Sequence, residues 1–487
     1  MKKLILLITL VVVGLVAVMA YRAATVFVES QPVAAAGYVQ PRIDGDAAVQ
    51  RFARALTFET VSYDDRSHFD AETFRAFHRY LESQYPLVHA RAERTLVNGY
   101  SLLYRLAGSD PSLAPVLFMG HFDVVPVDEV TLGEWTQPPF AGVVADGAIW
   151  GRGAMDDKIS VIGLLEAMEQ ALAEGWRPQR SVYLAFGHDE EVGGKDGAQR
   201  VAEYLEGQGL AFDFVMDEGG AMTRGLLEDI EGPLAIIGIS EKGYVNLVLS
   251  VKAAGGHSSQ PPPHTALGIL ARTIVKVEDS PFPARLDGMM LTANEIGYAM
   301  PFTKRLALAN LWLTAPLVKT MLLASPSAAS GIRTTTAATM ATGSPKSNIL
   351  PTLATATFNF RILPGETSES VRQRVVELID DDRVDVRAEY AIDPSPVSPI
   401  DSRGYRLIAG NILAMEPEAM VAPYMVRGGT DARYFYRLSP NVYRYLPVRI
   451  DSETAHQIHG IDEHIPVEDF LQAVGYYYNL LQQAAAP

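Results

Sequence analysis

Hydrophobic and polar positions alternate in different registers along this chain, and each change of register marks an element. After Lys2 and Lys3, the run from Leu4 to Ala20 is apolar and uncharged with no polar face. A helix apolar all round belongs in a membrane or a large core, and this run sits at the short edge of what spans a bilayer. Leu113 to Val125, Ser181 to Phe186 and Phe212 to Met216 read as buried strands, and each carries or runs into histidine or acidic residues. Between them, Asp156 to Ala173 sets Val161, Leu164, Leu165, Met168 and Leu172 on one helical face, with Gly175 as a stop. Buried strands alternating with helices predict an α/β domain with a mixed, mainly parallel sheet flanked by helices.

From about Ser240 the texture changes. YVNLVLSVKA alternates, a helix is expected near Ala266 to Val277, TATFNFRILP alternates, SESVRQRVVELI is helical, and VDVRAEYAI alternates again. Half-exposed strands in a strand-helix-strand-helix-strand order predict a smaller α+β domain inserted in the first. The expected boundaries are an N-terminal segment over 1–29, a polar linker from Ser30 to Gly45, the first part of the α/β domain over 40–238, the insertion over 239–393, and the second part over 394–487. Phe302 to Ala324 is strongly apolar, interrupted by Lys319 and broken by Pro316. It reads as packed helices, with a lipid-contacting surface as the alternative.

Composition narrows the chemistry. A formal charge of -16 argues against nucleic-acid phosphate as a partner. With no cysteine there are no disulfides, thiolate nucleophiles or cysteine-held metals, so any metal is held by His, Asp and Glu. Lys2 and Lys3 ahead of the apolar run keep the N-terminus in the cytoplasm and put the main body on the outer or periplasmic side. The run is an anchor or a signal, and Val18-Met19-Ala20 offers a cleavage site for the second case.

Candidate ligands gather at predicted strand ends. In Gly120-His121-Phe122-Asp123, residues two apart share a strand face, so Asp123 can accept the ring N–H of His121 and aim its other nitrogen at a metal. GRGAMDDK delivers Asp156 and Asp157 just before a helix; Glu190-Glu191, Asp217-Glu218 and the histidines of HQIH follow. Buried carboxylates without cations repel one another at a steep cost, which divalent ions relieve.

The ordered stretches MGHFDVVPV, GRGAMDDK, GHDEEVGG, VMDEGGA, GGHSSQPP, SNILP, NFRILPGET, RGGTDARYF and HGIDEHI resemble the co-catalytic zinc amidohydrolases and exopeptidases that include aminoacylase, glutamate carboxypeptidase and carboxypeptidase S. Within them the chain is most similar to the carboxypeptidase S and N-fatty-acyl-amino-acid hydrolase/synthase branch, whose long lid insertion NLWLTAPLVKTMLLASPSAASGIRTTT resembles. The resemblance implies a zinc-exopeptidase-like catalytic domain with a lid and dimerisation insert, and two zinc ions per chain. It makes Asp156 the bridging carboxylate, with His121 and Asp217 on one ion and Glu191 and His459 on the other. His456 and His464 stand as alternatives to His459, because Asp462 occupies a position where many relatives have Asn. It further implies Glu190 as general base, Asp123 as the residue orienting His121, and His257 as an oxyanion donor, often across a homodimer interface. Arg361 is implied to pair with a free substrate carboxylate, with Asn348 and the Gly428-Gly429-Thr430 turn as weaker candidates. The expected reaction is hydrolysis of an amide bond N-terminal to a free-carboxylate amino acid in a peptide or N-acyl amino acid. The alternatives are a non-catalytic surface binding module, or a dipeptidase or deacetylase for small polar acyl groups.

Overall fold

The computed structural model describes residues 1–29, 37–225 and 230–487, so the expected linker lies outside the described residues over 30–36. The chain forms two compact units. The larger comprises Glu29–Ile239, Ser398–Tyr424 and Thr430–Pro487, and the smaller Met1–Val28, Ser240–Val397 and Met425–Gly429.

A ten-stranded mixed sheet organises the larger unit. Three central strands, Val182–Gly187, Val116–His121 and Val215–Asp217, lie side by side and parallel. All their side chains are buried, which is why their sequences run apolar without alternation. On one flank Ser101–Leu106 pairs antiparallel with Val182–Gly187, and on the other Val442–Arg444 continues parallel from Val215–Asp217. Parallel neighbours bring His121, Asp217 and the residues after Gly187 to one edge, the carboxyl edge where open α/β sheets carry their ligands.

The helix Lys158–Ala173 is buried along nearly its whole length and packs on the C-terminal helix Val467–Ala484. Gly163 permits the close approach, since a Cβ there would lie 3.0 Å from the ring of Tyr477. At the start of the same helix Ser160 Oγ donates to Asp157 Oδ1 at 2.6 Å and meets Tyr477 Oη at 3.1 Å. Packing of the two helices thereby fixes the carboxylate that accepts the backbone N–H of His121 at 3.3 Å.

Two buried histidines are expected to make this unit acid-sensitive. His78 lies edge-on to Phe122, and His188 packs among Phe74 and Tyr100 with Nδ1 2.7 Å from Ser101 Oγ. Burial holds each at a pKa of about 4. An unfolded chain protonates both near ~6.5, whereas the folded chain refuses the protons until about 4. Their contribution to stability is therefore full above pH ~6.5 and declines down to pH ~4. Melting temperatures are expected to fall between pH 7 and 5, with a shallower slope for His78→Gln. Identical slopes would show that His78 is protonated in the folded state.

The smaller unit is built on a four-stranded antiparallel sheet in the order Thr335–Thr342, Leu353–Ile362, Gly243–Lys252, Val384–Ile392. One face buries Val245, Leu247, Leu249, Phe358 and Phe360 in a core shared with the helices Ala266–Glu278 and Ser368–Ile379. Thr367 and Ser370 close a capping box at the start of the second helix. The edge strand Thr335–Thr342 is not predicted by pattern, because its Thr and Ala residues show no apolar alternation and it is largely exposed.

Pro316 does not break the apolar segment. It sits inside the helix Leu311–Leu323 on the exposed side, and the break falls earlier, between Phe302–Leu308 and Leu311–Leu323. Proline removes a single hydrogen bond there, whereas buried Asn310 ends the first helix by donating to Leu306 O at 2.8 Å.

Candidate metal centre

Asp156 lies at the focus of the candidate site. Its Oδ1 is 3.0 Å from His121 Nε2 and its Oδ2 is 3.1 Å from His459 Nε2. His459 Nε2 is also 3.1 Å from Glu191 Oε2. One donor atom each from His121, Asp156 and Glu191 lie within 4.8 Å of one another. Of the three C-terminal histidines, only His459 reaches this cluster: His464 stacks on Trp150 at 4.1 Å, and His456 is exposed on a short turn. His459 and Asp462 both take left-handed backbone, at φ 60 and 59. Asp462 is pinned by accepting from Thr136 N at 2.6 Å and Thr136 Oγ1 at 2.8 Å, a role its second oxygen makes possible.

Asp123 is fully buried, and its oxygens accept the backbone N–H groups of Glu190 and Glu191, each at 3.1 Å. His121 Nδ1 lies 3.4 Å from the same carboxylate and 3.1 Å from the Asp123 carbonyl. One residue thus orients the histidine and the acidic pair together. Asp189 stands apart from this chemistry, accepting from Asp196 N at 2.8 Å and pairing with Arg66. Asp217 is buried, with Oδ2 accepting from Ala432 N at 2.8 Å.

Several contributors lie inside the quoted stretches beside the candidates singled out there. Buried Glu463 holds the loop that delivers Asp156: Oε1 accepts from Met155 N at 2.8 Å and Asp156 N at 3.2 Å, and Oε2 from Gly153 N at 3.0 Å and the Arg152 guanidinium at 2.7 Å. Asp431 is buried, and neither of its oxygens has a hydrogen-bond partner among the described residues. It is seated so closely that a Cβ at Gly194, whose φ is +64, would collide with it. Arg433 approaches Glu190 at 3.6 Å.

Negative charge is in excess here. Burial raises the carboxyls of Glu190, Glu218, Asp157 and Asp431 well above the ordinary range, with neighbouring carboxylates adding to the effect. Asp156 moves the other way: burial is outweighed by the His121 and His459 hydrogen bonds, which hold it low. His459 is in turn pushed up to about 10 by Asp156 and Glu191. Nitrogen and oxygen donors converge, their acids unbalanced and Glu191 Oε1 buried without a partner. That donor set fits borderline divalent ions such as zinc.

Residues 117–483 match the model of Peptidase family M20/M25/M40. The chain belongs to that family. It is 38% identical over 438 residues to a probable carboxypeptidase S-like 2 of Dictyostelium discoideum, covering 89% of this chain and 84% of that one. It is equally 38% identical over 437 residues to the human N-fatty-acyl-amino acid synthase/hydrolase PM20D1, covering 88% and 86%. Its fold resembles the M20 family metallo-carboxypeptidase Sso-CP2 of Sulfolobus solfataricus, with a TM-score of 0.64 at 18% identity over 90% of this chain and 99% of that one. This M20 protein is a hydrolase, and the residues above can hold a metal ion.

The remaining sequence candidates lie in or beside the smaller unit. His257 is exposed on a two-residue ladder with Ile349. The N–H of Ser259 donates to His257 Nδ1 at 3.1 Å, so the neutral ring carries its proton on Nε2. Asn348 is exposed, and its carbonyl accepts from Ser258 N. Arg361 makes no cross-strand ion pair; its guanidinium stacks 4.7 Å from the Tyr244 ring centre. Other cations gather near it. Lys242 is held down to about 8, first by burial and then by Arg427, Arg361 and Arg333, and its Nζ donates to Ser330 O and Arg333 O. Gly429 is exposed, while Thr430 is buried in the larger unit at the residue before the turn Asp431–Phe435.

Proposed function

We propose that this M20 protein is a two-zinc hydrolase that cleaves the amide bond of an N-acyl amino acid or short peptide and releases an amino acid with a free α-carboxylate. The observation that carries the reading is the split of Asp156, one oxygen toward His121 and the other toward His459. A carboxylate so placed can bridge two ions, with Asp217 completing the His121 side and Glu191 the His459 side. Bound zinc would lower the pKa of water toward ~7 and polarise the scissile carbonyl.

The chain's own groups divide the remaining work. Glu190 sits beside Glu191, faces His121 and lies 3.6 Å from Arg433, and bound cations would keep its carboxylate ionised. It accepts a proton from attacking water and returns it to the leaving amine. Asp123 holds Glu190 and Glu191 by their amides, so the base and the ligand keep one spacing. His257 offers Nε2–H to the developing oxyanion. Arg361, on a rigid strand and flattened on Tyr244, presents its fork to the substrate carboxylate, and Lys242 and Arg427 strengthen the positive field. The apolar helices of the insert favour a hydrophobic acyl group. The N-terminal helix Lys2–Thr25 is long and apolar enough to cross a membrane, and on this reading it anchors the body on the outer side.

The test is kcat/KM for an N-acyl amino acid and for its amide, with zinc analysis of the purified protein. Two zinc ions per chain and a strong preference for the free acid are expected. Arg361→Met should remove most of that preference by damaging the acid far more than the amide, and Arg361→Lys should recover part. Equal preference in wild type and Arg361→Met would move the carboxylate site elsewhere.

A further inference from the structure

Within the smaller unit, the N-terminal helix is stitched to the apolar helices of the insert. Ala23 and the following Phe27 are buried while the residues before Leu15 are exposed. Arg22 Nε donates to Ala309 O at 2.9 Å, and Asn310 Nδ2 donates to Met19 O at 3.1 Å. Phe27 fills the space over Gly297, where a Cβ would come within 2.5 Å of its ring. The bend between Phe302–Leu308 and Leu311–Leu323 is thus fixed to the last turns of the N-terminal helix.

The second of those helices is apolar on both sides. Its inner residues Leu311, Val318 and Leu322 pack with Leu286 and Ile332. Its outer face exposes Trp312 (59%), Leu317 (60%) and Met321 (64%), together with Leu313, Pro316 and Thr320. No charged residue lies among them. Lys319 is half-buried on this helix and acts on Asp287, and the remaining open side is apolar and needs an apolar surround. The two helices together have the composition of a span but bend by 114°, so they cannot cross a bilayer as a rod.

We propose that the outer face of Leu311–Leu323 lies in the headgroup–acyl boundary of a phospholipid bilayer, as a second, non-spanning membrane contact beside the N-terminal helix. This rests on the reading of Lys2–Thr25 as an anchor. Continuity decides for the bilayer over a second copy of the chain: the face adjoins the end of a helix whose exposed apolar length already calls for lipid. Interfacial helices take this form, with Trp and Leu inserted and basic residues near the headgroups, here Lys304 and Arg305 on the preceding helix.

The test uses the full chain in phosphatidylcholine vesicles with plain or dibrominated acyl chains. Flotation after carbonate washing reads the anchor, and bromine quenching of tryptophan emission reads the second contact. Wild type should float and be quenched; Trp312→Phe should float equally and lose most of the quenching. Leu317→Ser with Met321→Ser should float, melt like wild type and show reduced quenching. Flotation with the same quenching in Trp312→Phe overturns the proposal while sparing the anchor. Failure to float overturns the anchor and the proposal with it. A lipid-independent dimer that the double variant dissociates assigns the face to a second copy and also overturns it.

Discussion

Glu190→Gln is expected to lower kcat by a factor of about 10²–10⁴ or more while the bound metal stays at the wild-type level. Glutamine keeps the shape of the side chain but cannot carry the proton. The backbone on either side does not depend on that carboxylate, because Asp123 holds the amides of residues 190 and 191. Glu191 and its approach to His459 should therefore persist. Asp156→Ala should behave in the opposite way, losing metal first and activity as a result, since both histidines lose their shared carboxylate. Steady-state rates alongside metal analysis distinguish the two, and loss of zinc from Glu190→Gln would mean that base and ligand are exchanged.

Glu463→Gln is expected to cost about 3–5 kcal/mol of stability, the scale for breaking a buried charge pair from one side. Arg152 would be left buried opposite a neutral amide, and an NH2 group would face backbone donors that now point at oxygen. The loop carrying Asp156 should loosen, so metal affinity should fall along with the midpoint of urea unfolding. Pairing the change with Arg152→Met should restore part of the stability, because neither charge is then stranded. An unaltered midpoint in the single variant would show that the loop is held by other contacts.

The strands that position the site were legible because each has a local signature: apolar runs in the parallel strands, alternation in the insert, and acidic residues or histidine directly after. Glu463 and Asp431 lie inside HGIDEHI and RGGTDARYF, but their roles were not legible there, because the partners, Arg152 at a separation of 311 residues from Glu463 among them, are set by the closure of the sheet. Pro316 misled for a related reason. Proline is a strong local breaker, but on an exposed helix face the loss is one hydrogen bond, and buried Asn310 ended the helix first. Alternation located Arg361 on a half-exposed strand, yet the stack on Tyr244 depended on antiparallel register that only pairing reveals.

The loop around Asp156 has a bearing on biosynthesis. Its clamp, Glu463, and the histidine opposite it, His459, are separated from Asp156 by some three hundred residues. During synthesis the earlier strands can pair before that stretch leaves the ribosome. Until it does, His121, Asp156 and Glu191 are a partial set with a slack loop. A chain interrupted before His459 would therefore lack both the clamp on the Asp156 loop and the histidine that meets Asp156 Oδ2.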